Sequence, residues 1–327
     1  MRIAVTGSIA TDHLMTFAGR FADQLLPDQL AHVSLSFLAD DLKVHHGGAA
    51  ANIAFGLGRL GLAPLLVGAA GTDFADYRAR LDAHGVDTGA VHVSETLHTA
   101  RFVCTTDADQ NQIATFYPGA MSEARRIDLA PLAARPGGLD LVLVAPDDPA
   151  AMLRHTDACR ALDIPFAADP SQQLARLTGP EARRLVLGAT LLFTNEYEAA
   201  LLQHRTGLAR AEILAQVGTW VTTLGPGGVT LSQDGRPDLT VPAVETTAVV
   251  DPTGAGDAFR SGFLTGLSWQ WSREASAQLG CALATTVLES AGSQEYKLSA
   301  ADLAARTERA YGPRAADALR RRLEDVL

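Results

Sequence analysis

The stretch DPTGAGDAFRSGF, residues 251 to 263, sets two glycines and an alanine between a threonine and an aspartate, then enters an apolar run. Phe259, Phe263 and Leu267 recur at a four-residue spacing, which predicts a helix opening near Gly254. Helix-start amides lack partners within the helix, and the macrodipole adds partial positive charge there, so small residues let an anion approach. A carboxylate beside such a site repels the anion unless it has a task. Taking the proton from an attacking hydroxyl is a task that fits Asp257. The competing account makes Asp257 an ordinary first-turn acid favoured by the dipole.

Other stretches offer complementary chemistry, each with a plainer alternative. In HHGGAAANIAFGLGRLG (45 to 61), Gly47 and Gly48 precede a small-residue helix start. Asn52 follows one turn later, where its amide can donate to and accept from vicinal hydroxyls; tight packing on a sheet is the alternative. TTLGPGG (222 to 228) supplies Gly225, Gly227 and Gly228 as close-approach backbone for a nucleotide, or merely turns a hairpin into VTLSQDG. Asn195 and Glu198 stand three apart at a strand-to-helix junction, which suits either a hydrated magnesium ion or a capping box. Phe102 and Phe116 can offer ring faces to a planar base or form a core of their own. His45 and His46 have no further ligands at metal spacing, so no metal–histidine site is expected.

These residues need a scaffold, and short apolar runs alternating with helical patterns provide one. IAVTG (3 to 7), LLVGAAG (65 to 71), LDLVLVA (139 to 145), PFAAD (165 to 169), LLFTN (191 to 195) and WVTTLG (220 to 225) read as strands. The rhythm predicts an α/β fold in three layers, a mostly parallel central sheet with helices on both faces. Ligands in such folds sit beyond the carboxyl ends of strands, where polar residues gather at Ser8 to Asp12, Asp169 to Gln173, Asn195 to Glu198 and Thr223 to Gly228. Two regions, 32 to 46 and 98 to 119, alternate with period two, the second around a polar turn at Asp107 to Gln110. They predict antiparallel hairpin material and a small β lid, formed discontinuously by roughly 10–47 and 96–119 within one domain spanning 1–327. From about residue 254 the pattern is helical.

Composition narrows the partners. A formal net charge of -10 argues against nucleic acid, and the one basic cluster, Arg320 to Arg322, reads as a solvated helix face. Only Lys43 and Lys297 are lysines, against 25 arginines, and no GxxxxGK[ST] occurs, which excludes a P-loop. No run approaches the roughly 18 apolar residues of a membrane span, and MRIAVTGSIATDH reads as a first strand, so a cytoplasmic protein is expected. Cys104, Cys159 and Cys281 fit neither a disulfide framework nor a metal spacing.

GGAAANIA with Gly61 and Gly71 downstream, and DPTGAGDAFRSGFL, resemble the two signature motifs of the ribokinase-like (PfkB) family of carbohydrate and nucleoside kinases, in order and spacing. NEYE and TTLGPGG between them resemble its N-x-x-E and nucleotide-loop elements, and the likeness runs from Ser8 to ESAGSQE at 289 to 295. VTGSIATDHLM, VSLSF, HTARF and FAADPSQQLARL are most similar to its bacterial adenosine-kinase branch. The resemblance implies transfer of phosphate from ATP to the 5'-hydroxyl of adenosine in purine salvage. Asp257 would be the base, and Gly254, Ala255 and Gly256 the anion hole. Ser8, Asp12, Gly48 and Asn52 would hold ribose; Ser36, Phe102, Phe116, Gln172 and Gln173 would surround the purine. Asn195, Thr223, Gly225, Gly228 and Gly256 fall where the family binds ATP, and Glu198 where it organises hydrated Mg2+. Asp251 and Thr253 match a region that holds a monovalent cation, K+, in many relatives, although Pro252 stands where many have threonine. A homodimer through the lid sheets is also implied. A ribose or fructose kinase of the same family and a non-catalytic nucleoside-binding protein are the alternatives.

Overall fold

Alternating side chains along short strands divide the interior between two layers of helices. The structure, a computed structural model, describes residues 1–25, 32, 34–246 and 248–323. The strands are β1 Ile3–Thr6, β2 Ala10–Thr16, β3 Asp41–Gly47, β4 Leu65–Val67, β5 Ala69–Ala70, β6 His92–Val93 and β7 Ala100–Thr106. They continue as β8 Gln112–Tyr117, β9 Leu141–Val144, β10 Phe166–Ala168, β11 Leu191–Asn195, β12 Thr219–Thr223, β13 Val229–Ser232 and β14 Leu239–Val241. The main sheet has the order β14-β13-β12-β11-β10-β9-β1-β4; it is parallel from β4 to β12 and antiparallel over its last two pairings.

One-residue alternation assigns each strand side chain to a layer. Ile3, Val5, Leu141, Leu143 and Phe193 pack with the helices Ala49–Arg59, Ala255–Ser268 and Arg273–Leu288. Ala4, Val142, Val144, Leu192 and Trp220 pack on the other side with Pro149–Ala161, Gly179–Val186 and Glu196–Thr206. The chain thus adopts the expected three-layer α/β fold, with helices on both faces of a mostly parallel sheet. No helix among the described residues is long and apolar enough to cross a membrane.

A second sheet, β3-β2-β7-β8, stands beside the carboxyl ends of β1 and β9 to β12. β7 and β8 form the antiparallel hairpin foreseen around Asp107 to Gln110, while β2 pairs with β7 in parallel. The 32 to 46 stretch behaves differently. Only its Asp41–Gly47 part is a strand, residues 34–39 have no regular structure, and Val33 lies outside the described residues. The run LLVGAAG is broken as well, because Gly68 passes so close to the Gly7 carbonyl that a Cβ there would meet it at 2.5 Å. β5 leaves the main sheet at that point to pair with β6.

Candidate active site

Five of the parallel strands, β1 and β9 to β12, hand the residues at their carboxyl ends to one cleft of about 650 Å³. Ser8 and Pro146 follow β1 and β9; Ser171, Gln172 and Gln173 follow β10; Asn195 and Thr223 end β11 and β12. From the small sheet come Asp12, Phe102 and Phe116, whose register is direct: Asp12 lies opposite Phe102 and Phe102 opposite Phe116. Gly48, Asn52, Thr253, Gly254, Gly256 and Asp257 complete the wall from two helix starts.

Those helix starts are built for close approach. Gly48 has φ +93, and a Cβ on it would sit 2.6 Å from the Ala10 nitrogen and the Ser8 carbonyl. The Ser8 hydroxyl accepts a hydrogen bond from the Ala49 amide at 3.0 Å. Gly254, at φ +79, opens the helix Ala255–Ser268 with no side-chain cap, and the Ala255 amide makes only a long 3.4 Å bond to the Pro252 carbonyl, so the helix start can still face a ligand.

Asp257 lies in that first turn, half-buried in the cleft wall, with Asn52 Nδ2 donating to its Oδ2 at 2.9 Å. Burial raises its carboxyl above the ordinary value, while the Arg260 charge and the Asn52 amide act against the rise. Asn52 is itself held, since its Oδ1 accepts from Ser293 Oγ at 2.9 Å and Gln294 Nε2 at 2.8 Å. Across the cleft, burial pushes the Asp12 carboxyl up to about 6; His45 opposes this and the Asp251 and Asp257 charges add to it.

Deeper in the cleft Arg260 pairs with Asp169, Nη2 to Oδ1 at 2.6 Å, and its guanidinium lies 5.5 Å over the Phe193 ring. Asn195 and Glu198 form the capping box, each side chain bonded to the other's backbone amide at 2.8 Å. The Glu198 carboxylate also faces the cleft and accepts from Ser171 Oγ at 3.3 Å, so capping and cleft roles coexist. Ser171 adopts φ +45, a left-handed conformation uncommon for serine.

A second cavity of about 690 Å³ adjoins the first and shares Thr223 and Gly256 with it. Gly225, Gly228, Val244, Val249, Ala255, Phe259 and Leu288 give it mainly apolar walls. The glycine turn is both hairpin and wall: β12 and β13 pair antiparallel around it, and a Cβ on Gly225 would meet nothing within 4 Å. An apolar chamber that ends at uncapped helix amides fits a nucleotide, base in the chamber and phosphates at the helix start. The Glu198 carboxylate beside that start suits the water shell of a divalent cation.

Two residues expected at the site line neither cavity. Ser36 lies in the irregular 34–39 stretch, which makes no strand to carry it inward. Asp251 has turned its carboxylate to the backbone, accepting from the Thr253 amide at 2.9 Å and the Gly292 amide at 3.0 Å. Burial works to raise its carboxyl, and these bonds outweigh it, leaving Asp251 below its ordinary value. Three residues to which sequence reasoning gave no role also belong here, Arg260, Ser293 and Gln294, while Asp169 and Ser171 come from the polar stretch Asp169 to Gln173. Arg260 was visible as the position three after Asp257 on one helix face. Gln294 carried no local signal.

The pfkB family carbohydrate kinase model matches residues 7–300 of the chain. The nucleoside kinase of Methanothermobacter thermautotrophicus is 30% identical over 252 residues, 76% of this chain and 80% of that protein. The structure of Burkholderia thailandensis nucleoside kinase in complex with inosine superposes with a TM-score of 0.82 at 34% identity, over 95% of this chain and 98% of that one. Methanocaldococcus jannaschii nucleoside kinase, 24% identical over 94% of this chain and 99% of its own, shares the fold with a TM-score of 0.83. With two cavities meeting at a glycine-rich helix start, the chain belongs to the pfkB family, kinases that transfer phosphate from ATP to a sugar or nucleoside.

Proposed function

We propose that this kinase phosphorylates the ribose 5'-hydroxyl of adenosine, giving AMP and ADP in purine salvage. The observation that carries the proposal is the junction of the two cavities: Asp257 lies on the cleft side and Gly256 belongs to both. In the cleft, Phe102 and Phe116 offer stacking surface and Gln172 and Gln173 offer amides to a base. Gln173 is buried and its Oε1 has no partner, a group that a base donor would satisfy. The nucleoside kinases of similar sequence favour a nucleoside over a free sugar.

Asp257 takes the proton from the 5'-hydroxyl, and Asp12, Ser8 and Gly48 hold the ribose so that this hydroxyl faces the helix start. The amides of Gly254, Ala255 and Gly256 receive the phosphoryl oxygens. Thr223, Gly225 and Gly228 would lie beside the nucleotide of bound ATP, and Asn195 and Glu198 would hold a hydrated magnesium ion, which would supply charge neutralisation for the transferred phosphoryl group. The small sheet acts as a lid that keeps water, the competing acceptor, from the cleft. Asn52, expected on the ribose, serves Asp257 first and keeps one Nδ2 hydrogen for a ligand.

The test measures ADP release with ATP, magnesium and adenosine, guanosine, inosine, ribose or fructose, beside Asp257→Asn. Turnover on adenosine and a loss of about 10²- to 10⁴-fold in the variant are expected. No turnover on adenosine, or equal turnover on ribose, overturns the assignment and leaves the sugar-kinase alternative.

Two further expectations follow from the same proposal. Leu42, Val44, Ile113 and Tyr117 are exposed on the face of the small sheet opposite Phe102 and Phe116, which supports a homodimer through these sheets; a monomeric mass in light scattering overturns it. A potassium titration tests the monovalent cation at the Asp251 to Thr253 loop, and rate unchanged from potassium-free buffer removes it. We take the setting to be cytoplasmic, where ATP is abundant.

A further inference from the structure

The amide of Asn52 can sit in its pocket two ways round, since its oxygen and nitrogen ends have nearly the same shape. Only one way gives Asp257 a donor; the other turns an oxygen toward a carboxylate. What decides between them is a buried chain of hydrogen bonds that starts at a group unable to turn. The Gly47 carbonyl accepts from the Tyr77 hydroxyl at 2.9 Å. Tyr77 has one hydroxyl hydrogen and spends it there, so toward Gln294 it can only accept, which it does from Nε2 at 2.5 Å. Gln294 therefore presents its NH2 end, and the remaining hydrogen goes to Asn52 Oδ1 at 2.8 Å. Ser293 Oγ, whose single hydrogen faces both Asn52 Oδ1 at 2.9 Å and the His46 carbonyl at 3.3 Å, adds a second donor to the same oxygen along the shorter contact. With Oδ1 occupied twice, Nδ2 is left for Asp257.

We infer that Gln294 and Ser293 are positioning residues for phosphoryl transfer: they fix the orientation of the Asn52 amide and, through it, the charge and aim of Asp257. The inference rests on Asp257 being the base. Tyr77, Asn52, Ser293 and Gln294 are all at least nine-tenths buried, so water does not substitute for a missing link. The Gln294 Oε1 is buried without a partner, so among its side-chain atoms the donor end alone engages the network. The loop is anchored from outside by Arg80, which donates to the Gln294 carbonyl at 2.9 Å, and by Asp251, which accepts from Gly292.

The network has a consequence for pH. The charge acting most on Asp257 is Arg260 on its own helix, and the other titratable groups that feel Asp257 are Asp12 from the small sheet, Asp169 beyond β10 and the neutral hydroxyl of Tyr77 from the helix Ala75–Ala83. Burial already favours the protonated acid, and the Asn52 donor opposes it. Losing that donor moves the carboxyl further up, and the acid limb of activity moves with it.

The experiment compares parent, Ser293→Ala, Gln294→Met and the double variant across pH, with thermal melting as the check on folding. Because either donor alone holds Oδ1, each single variant loses about threefold or less in kcat. The double variant loses clearly more than the product of the two, and its acid limb in kcat/KM rises by about one pH unit, the size of one lost hydrogen bond to a charge. KM for the acceptor changes by less than about threefold, since Asn52 Nδ2 acts chiefly on the base. A folded double variant whose acid limb stays in place overturns the inference. If the double variant does not fold, Tyr77→Phe with Ser293→Ala, which deletes two oxygens only, carries the same expectation and the same overturning result. Asp257→Asn separates the two levels: an active variant removes the base itself, whereas an inactive one beside an unmoved limb leaves the base and removes only the role of Gln294 and Ser293.

Discussion

Arg260 and Asp169 form an ion pair across 91 residues of sequence, with side chains 8% and 1% exposed, at the floor of the cleft that holds Asp257. Burial raises the Asp169 carboxyl and Arg260 is the main force against it. Arg260→Met should cost about 3–5 kcal/mol, because it strands a buried carboxyl rather than removing a pair. The pH response gives the signature. A stranded Asp169 holds its proton when folded and releases it when unfolded, so the variant's stability should rise as pH falls from about 8 toward about 5. Melting temperatures across that range check it, and a variant that tracks the parent at every pH contradicts it.

Gly254 has no room for a side chain on two counts. Its φ is +79, and a Cβ would lie 2.4 Å from that of Ser293. Gly254→Ala should cost about 1–3 kcal/mol in backbone strain, with added loss of turnover as the helix start is pushed away from its ligand. Gly235→Ala, also at positive φ, with open space at its Cβ and outside both cavities, carries the strain alone and serves as the comparison in melting and rate measurements.

Asp12 trades stability for binding. Its carboxyl moves from 3.8 to about 6 on folding, so stability from this group is greatest below about 4 and is lost as pH rises through 6. Asp12→Asn should therefore melt no lower than the parent at pH 7.5, with any gain shrinking toward pH 4, while acceptor binding weakens at neutral pH. Calorimetric titration with adenosine beside the melts tests both halves.

Phe102 separates base recognition from sugar recognition. Phe102→Ala should lower kcat/KM for adenosine by about ten- to a hundredfold, in line with about 1–3 kcal/mol per stacked base. Residual turnover on ribose should stay within about threefold, because no base is there to stack. Equal losses on both would give Phe102 a structural role in the small sheet.

Local patterns revealed the scaffold and the glycines, because a strand's alternation and a helix's capping are decided within a few residues. The strand ends at Ser8, Asn195 and Thr223 and the helix start at Gly254 were legible for that reason. The alternation read through 34–39, the stretch in which Ser36 lies, did not give a strand, because no neighbouring strand supplies hydrogen bonds there. Gln294 and Asn52 stand 242 residues apart, and only the fold brings one to the other. The bonds that hold the Asp251 carboxylate were not legible, because they come from the Thr253 and Gly292 backbone amides, which no residue letter reports.

The two cavities share Thr223 and Gly256, so they meet between the end of β12 and a glycine of the helix start. A Cβ on Gly256 would already press the Arg260 guanidinium at 2.9 Å. A single molecule carrying a nucleoside at one end and a nucleotide at the other could then occupy both chambers, its linker crossing the glycine. Tethering makes the second binding event intramolecular, so such a molecule should gain avidity over its separate halves. A side chain larger than alanine at position 256 would close that passage while leaving each chamber its own ligand.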